Sequence, residues 1–167
     1  MAEAINRAVN HIGLSVPDLE AALGWYQEVL GFRLLTPPAE MRADDPGLGP
    51  ALLAMLGSRV QRFRLAHLTA GNGVGLQVFE FEDPPAEANV HAEAPWQGGF
   101  THICVTAADI EALAREIAER GGRSSEVFRS IPGRPYAAAY CEDPWGNVIE
   151  INSHDYVETR TFLQGEA

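Results

Sequence analysis

From residue 11 the stretch "HIGLSV" alternates between polar and apolar positions, and apolar residues then return at helical spacing, at Leu19, Leu23, Tyr26 and Leu30. This change of period predicts a strand that feeds an amphipathic helix. The same switch occurs again 91 positions later, where "HICVTA" is followed by Ile110, Leu113 and Ile117. That offset matches His11 with His102, Ile12 with Ile103, Asp18 with Asp109, Glu20 with Glu111, Ala21 with Ala112, Glu28 with Glu119 and Gly31 with Gly122. Asp18 and Asp109 stand where a helix needs an N-cap, and Gly31 and Gly122 where a helix exit calls for positive φ.

Strand-like runs follow each helix: "FRLLT", "VQRFRLAHLTA" and "GVGLQVFEF" in the first half, and "EVFRS", "YAAAYCE" and "NVIEINS" in the second. Each half reads βαβββ. The last runs also correspond, Gly73 with Gly146, Leu76 with Ile149, Gln77 with Glu150 and Val78 with Ile151, at an offset of 73. The shortfall of 18 residues places an insertion of that length in the first half, at about 37–58, with a short helix expected over 50–57. The expected class is therefore α+β, with two tandem βαβββ modules. The first spans 1–84, a polar, proline-bearing linker 85–98, the second module 99–155 and a tail 156–167 that adds a short helix.

Composition narrows the chemistry. At 167 residues and 46% hydrophobic content the chain can bury a substantial core, and its formal charge of −11 opposes nucleic acids and anionic membranes as partners. All 12 basic residues are arginines, which excludes a lysine Schiff base and a P-loop lysine. Cys104 and Cys141 sit singly in apolar runs and read as reduced core residues. No stretch has the length of a signal or a membrane span, so a cytoplasmic location is expected.

Strand parity groups the side chains that share a face. His11 goes with Gly13 and Ser15, His102 with Cys104 and Thr106, Gln77 with Gly75 and Phe79, and Glu150 with Val148 and Asn152. Duplicated modules packed about a pseudo-twofold axis would bring His11, Gln77, His102 and Glu150 together as two imidazoles, an amide oxygen and a carboxylate. Such a set suits a divalent ion of intermediate hardness with open positions, and zinc, nickel, cobalt, manganese and ferrous iron all satisfy it. A single strand histidine is more often a hydrogen-bonded structural residue. Its recurrence at repeat-equivalent positions is what favours the metal.

At these residues the chain resembles the vicinal oxygen chelate superfamily, which includes glyoxalase I, methylmalonyl-CoA epimerase, extradiol dioxygenases, fosfomycin-resistance enzymes and bleomycin-binding proteins. The resemblance covers about 7–155 and rests on "NHIGLSVPDLEAALGWYQEVLGF", "GLQVFEFEDP", "GFTHICVTAADIEALAREI" and "AYCEDPWGNVIEINSHD", the last carrying a DP-x-G-N-x-I-E signature. It implies a concave, partly open mixed sheet with helices outside, around a metal held at His11, Gln77, His102 and Glu150. It also implies a homodimer. The position of Gln77 is often glutamate in glyoxalase I-like members, whereas a His/Gln/His/Glu set is familiar from epimerase-like ones.

The expected reaction is proton transfer through a metal-stabilised enediolate on a small oxygenated metabolite, in the manner of a glyoxalase-type lyase, isomerase or epimerase. Glu150 is the expected catalytic carboxylate, since an amide such as Gln77 accepts no proton near neutrality. His154, Glu80, His67 and Tyr140 are candidates for a second acid or base. Arg62 and Arg64 could pair with an anionic substrate or merely blunt a strand edge, Arg134 and Tyr136 could stand near a mouth, and Trp25, Phe79, Trp96 and Trp145 could wall a pocket or fill a core. Two alternatives accompany this reading: a ferrous extradiol-type dioxygenase using His11, His102 and Glu150, and a non-catalytic binding protein for an antibiotic or metabolite.

Overall fold

The computed structural model describes residues 5–86, 94–96, 98–129 and 131–161. The first half runs β1 (His11–Ser15), α1 (Leu19–Leu30), β2 (Arg33–Arg42), α2 (Gly49–Leu56), β3 (Arg62–Thr69) and β4 (Gly75–Asp83). The second runs β5 (Ile103–Thr106), α3 (Ile110–Glu119), β6 (Arg123–Ser124), β7 (Phe128–Arg129), β8 (Ala137–Glu142), β9 (Val148–Asn152) and α4 (Tyr156–Thr161). The chain divides into two compact units, 1–87 and 88–167. Residues 87–93 and 97 of the expected linker, and 162–167 of the expected tail, lie outside the described residues.

Each unit is an α+β module with an open mixed sheet. The first sheet has the order β1-β4-β3-β2 and the second β5-β9-β8-β6, with β7 also paired to β8. In both, the first strand runs parallel to the last, which demands the crossover helix that the sequence supplies. The aspartates cap as expected: Asp18 Oδ1 accepts the Ala21 N–H and Asp109 Oδ1 the Ala112 N–H, each at 2.9 Å. Leu76 and Val78 are buried with Leu19, Ala22, Leu23 and Tyr26 in the first module; Ile149, Ile151 and Cys141 are buried with Ile110, Ala114 and Ile117 in the second. One sheet face thus carries the helix and the core, and the other is left for chemistry.

Three local expectations change. β2 runs on to Arg42, so the region expected to be inserted loop begins as strand, with register shifts between Leu34 and Thr36 and between Thr36 and Ala39. Pro37 and Pro38 have no N–H to give the ladder, which accounts for the second shift. In the second module the run over 126–130 gives only β7, and a separate β6 precedes it, both short and both on β8. Gly31 adopts φ 67° as expected, but after α3 it is Gly121 (φ 87°) that takes positive φ. Gly122 is needed for another reason: a Cβ there would stand 2.3 Å from the Glu142 carbonyl oxygen.

The inserted segment also has a role. Leu52 of α2 packs with Phe63 and Leu65 of β3, and Met41, Leu56, Phe79 and Phe81 join that apolar cluster. These odd-numbered strand residues share the face of Gln77, so α2 covers one end of the sheet face opposite α1. No helix among the described residues is long and apolar enough to cross a membrane.

Candidate functional site

In the first module His11 opens β1, exposed, with Nδ1 2.8 Å from Asn10 Oδ1. Gln77 is on the adjacent strand β4, opposite Gly13, while His11 itself pairs with Gly75. An added Cβ at Gly13 would meet the Phe79 ring at 3.3 Å, so the glycine lets that ring lean across the sheet face that carries Gln77. On the other side Gln77 faces His67 of β3, its cross-strand partner, with Nε2 to Nε2 at 3.2 Å. Thr36 Oγ1 stands 2.6 Å from His67 Nδ1. An amide N–H can only donate, so His67 Nε2 accepts and the ring proton on Nδ1 is donated to Thr36. Gln77 Oε1, the atom an amide offers to a metal, is outside that contact.

The second module assembles its pair more tightly. His102 Nε2 lies 3.0 Å from Glu150 Oε2, and Thr101 Oγ1 is 2.9 Å from His102 Nδ1. Two ligand atoms each about 2.1 Å from one ion and about 90–109° apart are themselves about 3.0–3.4 Å apart, so this separation fits a shared divalent ion. Tyr140 is the cross-strand partner of Glu150 and presents its ring edge-on to His102, with centroids 5.6 Å apart. Its hydroxyl is held above the ordinary tyrosine range by burial, then by the Glu150 and Cys104 charges. Cys104 shares this face and accepts a 2.9 Å contact from Asn152 Nδ2. Both cysteines are free, and Cys141 is buried as expected, but Cys104 is exposed, because its strand turns it away from α3. Although the residue is exposed, its sulfur is partly enclosed by neighbouring atoms; that desolvation and, after it, the Glu150 charge raise the Cys104 pKa against the lowering bond from Asn152.

Of the four candidates for a second acid or base, the structure leaves two on the sheet faces that carry Gln77 and Glu150, namely His67 and Tyr140. Glu80 points to the helix side, where Oε2 accepts the Leu19 N–H at 3.3 Å and Arg64 at 3.1 Å. His154 is tied to Ser153 Oγ at 2.7 Å and packs edge-on against Tyr136, which is buried. The arginines of β3 are similarly engaged, Arg62 with Glu82 at 2.6 Å and Arg64 with Glu20 and Glu80, so they brace the strand and α1. Trp25 belongs to the core and Trp96 is exposed. A further regularity went unread in the sequence: the offset of 73 that matches Gln77 with Glu150 also matches His67 with Tyr140. Each of these two is the cross-strand partner of a proposed ligand.

Within neither module do three His, Cys, Asp or Glu side chains gather into a metal-binding group among the described residues. Of the four candidate ligands, His102 and Glu150 are in direct contact in the second module, and His11 and Gln77 stand on the adjacent, parallel strands β1 and β4 of the first.

Comparison with known proteins adds the following. The profile of the Glyoxalase/Bleomycin resistance protein/Dioxygenase superfamily matches residues 8–151. A 2-epi-5-epi-valiolone epimerase from Actinomyces sp. is 27% identical over 148 residues, covering 86% of this chain and 78% of its own. An ethylmalonyl-CoA/methylmalonyl-CoA epimerase from Cereibacter sphaeroides is 29% identical over 146 residues, covering 86% and 95%. Among solved structures, a glyoxalase family protein from Bacillus cereus superposes with a TM-score of 0.72 at 19% identity, over 91% of this chain and 97% of that one.

Proposed function

Because this chain belongs to the glyoxalase/bleomycin resistance protein/dioxygenase superfamily, we propose that it is a divalent-metal-dependent enzyme that moves a proton on a small oxygenated metabolite, as an epimerase does. In this reading His11, Gln77, His102 and Glu150 are the metal ligands, and the protein acts as a homodimer in the cytoplasm. The observation that carries it is the His102–Glu150 pair, 3.0 Å apart at positions repeat-equivalent to His11 and Gln77. Two relatives whose names are those of epimerases support the reaction class.

A divalent ion held by His11, Gln77, His102 and Glu150 would supply Lewis acidity toward a substrate carbonyl, making the adjacent C–H acidic enough for a carboxylate to remove its proton. Glu150, a ligand until substrate displaces it, is the residue that then takes that proton. Inversion at carbon needs a second proton carrier on the opposite face of the planar carbon. His67, on the same sheet face as Gln77, is the residue we assign to that work; its Nδ1 lies against Thr36 Oγ1 and its Nε2 against Gln77 Nε2, and the Gln77 contact must be released for Nε2 to take a proton. Gln77 itself orients and carries no proton. Tyr140 packs against His102 and limits the angles open to its ring.

The test is cobalt loading followed by solvent deuterium incorporation into 2-epi-5-epi-valiolone and into methylmalonyl-CoA. The expected result is roughly one Co²⁺ per chain and exchange into one of the two compounds, both lost in His102→Ala. Glu150→Gln should weaken metal binding and abolish exchange. Full metal occupancy in His102→Ala, or undiminished exchange in Glu150→Gln, overturns the proposal.

A further inference from the structure

The second module contains a cavity of about 570 Å³ that includes His102 in its wall and extends from it toward Arg123, Ser124, Glu142 and Val148, with Tyr140 between. Strand parity explains the location. Val148 shares the face of Glu150, and Tyr140 and Glu142 occupy that face on β8, where Glu142 pairs in register with Arg123. The cavity therefore begins at His102, the contact partner of Glu150, and reaches beyond it to groups that no proton-transfer role requires.

Its chemistry is specific. Arg123 Nε donates to Glu142 Oε2 at 3.0 Å, and Nη2 donates to the same oxygen. Both bonds end on Oε2, so Oε1 stands outside the contact as an acceptor. The cation in the wall is thus already matched by a carboxylate, and Glu150 adds further negative charge nearby. A polyphosphate or polycarboxylate arm would meet no uncompensated positive charge here. A neutral polyol meets what it needs: a carboxylate oxygen to accept from its hydroxyls, a neighbouring guanidinium and an aromatic platform. Tyr140 provides that platform, its ring stacked parallel to Phe128 at 6.2 Å between centroids, and ring C–H groups pack well on such a face.

We propose that this cavity seats the non-reacting part of the substrate and that this part is a neutral, polyhydroxylated ring or chain, with Arg123 and Glu142 as the residues that select it. The proposal rests on the metal-enzyme reading only for what happens at the reacting carbon, and its test separates the two. Scyllo-inosose, a neutral keto-cyclitol, and coenzyme A, a polyanion, are titrated calorimetrically into cobalt-loaded and EDTA-treated protein, with Arg123→Ala, Glu142→Ala and Glu142→Gln alongside. Scyllo-inosose should bind, and each alanine variant should weaken it about tenfold or more, the scale of one charge-assisted hydrogen bond. The double variant should be little worse than either single one. Glu142→Gln, which keeps an acceptor oxygen, should recover part of the loss. Cobalt stoichiometry and absorption should be unchanged in all of them, and a protein that takes no cobalt but still binds scyllo-inosose through Arg123 and Glu142 sinks only the metal reading. No binding of scyllo-inosose at millimolar concentration, affinity indifferent to both substitutions, or tighter binding of coenzyme A that depends on Arg123 overturns this proposal.

Discussion

The turn between β8 and β9 offers a quantitative test of how the site is held. Asp143 is only 2% exposed. Its Oδ1 accepts the backbone N–H groups of Trp145 at 3.0 Å and Asn147 at 2.8 Å, and its Oδ2 accepts the Asn147 side-chain amide at 2.7 Å. The backbone closes the same loop, with the Asp143 N–H on the Asn147 carbonyl at 3.0 Å, and Gly146 supplies φ 84° at the corner. Asp143→Ala removes three charge-assisted acceptor contacts and strands donors in a buried turn. At about 1.5–3 kcal/mol for each hydrogen bond to a charge, and allowing for their non-additivity, the loss is about 3–5 kcal/mol. For a chain of this size that corresponds to a melting temperature lower by about 6–20 °C. Asp143→Asn keeps the two backbone contacts but sets one amide group against another, and should lose about 1–3 kcal/mol. Urea unfolding monitored by tryptophan fluorescence gives both numbers. Glu150 lies on the strand this turn launches, so cobalt affinity should fall in the same order. A stability within about 1 kcal/mol of wild type for Asp143→Ala would show that the carboxylate does not organise the turn.

Other outcomes follow from the packing of the two modules' own helices and strands. Gly122→Ala forces a Cβ to within 2.3 Å of the Glu142 carbonyl, a backbone atom that cannot step aside, and should destabilise by about 2–4 kcal/mol in urea titration; Gly24→Ala, where an added Cβ meets nothing within 4 Å, is the control. Glu80→Ala removes an acceptor for the Leu19 N–H and a partner of Arg64, and should cost about 1–2 kcal/mol of stability while leaving cobalt stoichiometry intact. Cys104, its thiol pKa raised chiefly by burial, should alkylate with iodoacetamide in metal-free Cys141→Ser protein along a pH profile displaced above the ordinary 9.0; a profile centred below that value would contradict the environment described. Burial likewise raises the Cys141 thiol. Its contribution to stability is therefore complete below the unfolded-state value and is lost as pH climbs through the folded one, so wild-type stability should decline in alkali more steeply than that of Cys141→Ala.

Much of this was legible in the chain because the repeat imposes two independent periodicities at once. The strand-to-helix switch at His11 and His102, and the aspartates that cap α1 and α3, are local signals that tertiary packing does not override. Parity on β4 groups Gln77 with Gly75 and Phe79, and the structure accordingly turns Glu80 to the opposite face, against Leu19 and Arg64. What the pattern could not convey was distance across strands. Period-two alternation says that His67 shares a face with Leu65, but only pairing register puts it opposite Gln77, and the register depends on the turn at 70–74. The run over 126–130 misled because Phe128 and Arg129 pair with β8 so briefly, while Arg123 and Ser124, which carry no hydrophobic alternation, pair as well. Cys104 was misread for a related reason: in "HICVTA" it sits among apolar neighbours along the chain, but its own side chain belongs to the polar face.

The bare backbone of Gly122 has a consequence for evolvability. It allows the exit of α3 to press directly on the main chain of Glu142, whose side chain emerges on the far side of the sheet beside Arg123. The helical layer thereby fixes the height at which that carboxylate is presented. Mutations on the solvent side of α3, remote from any ligand, could retune what the protein accepts by tilting one strand, without a single change among the residues that touch it.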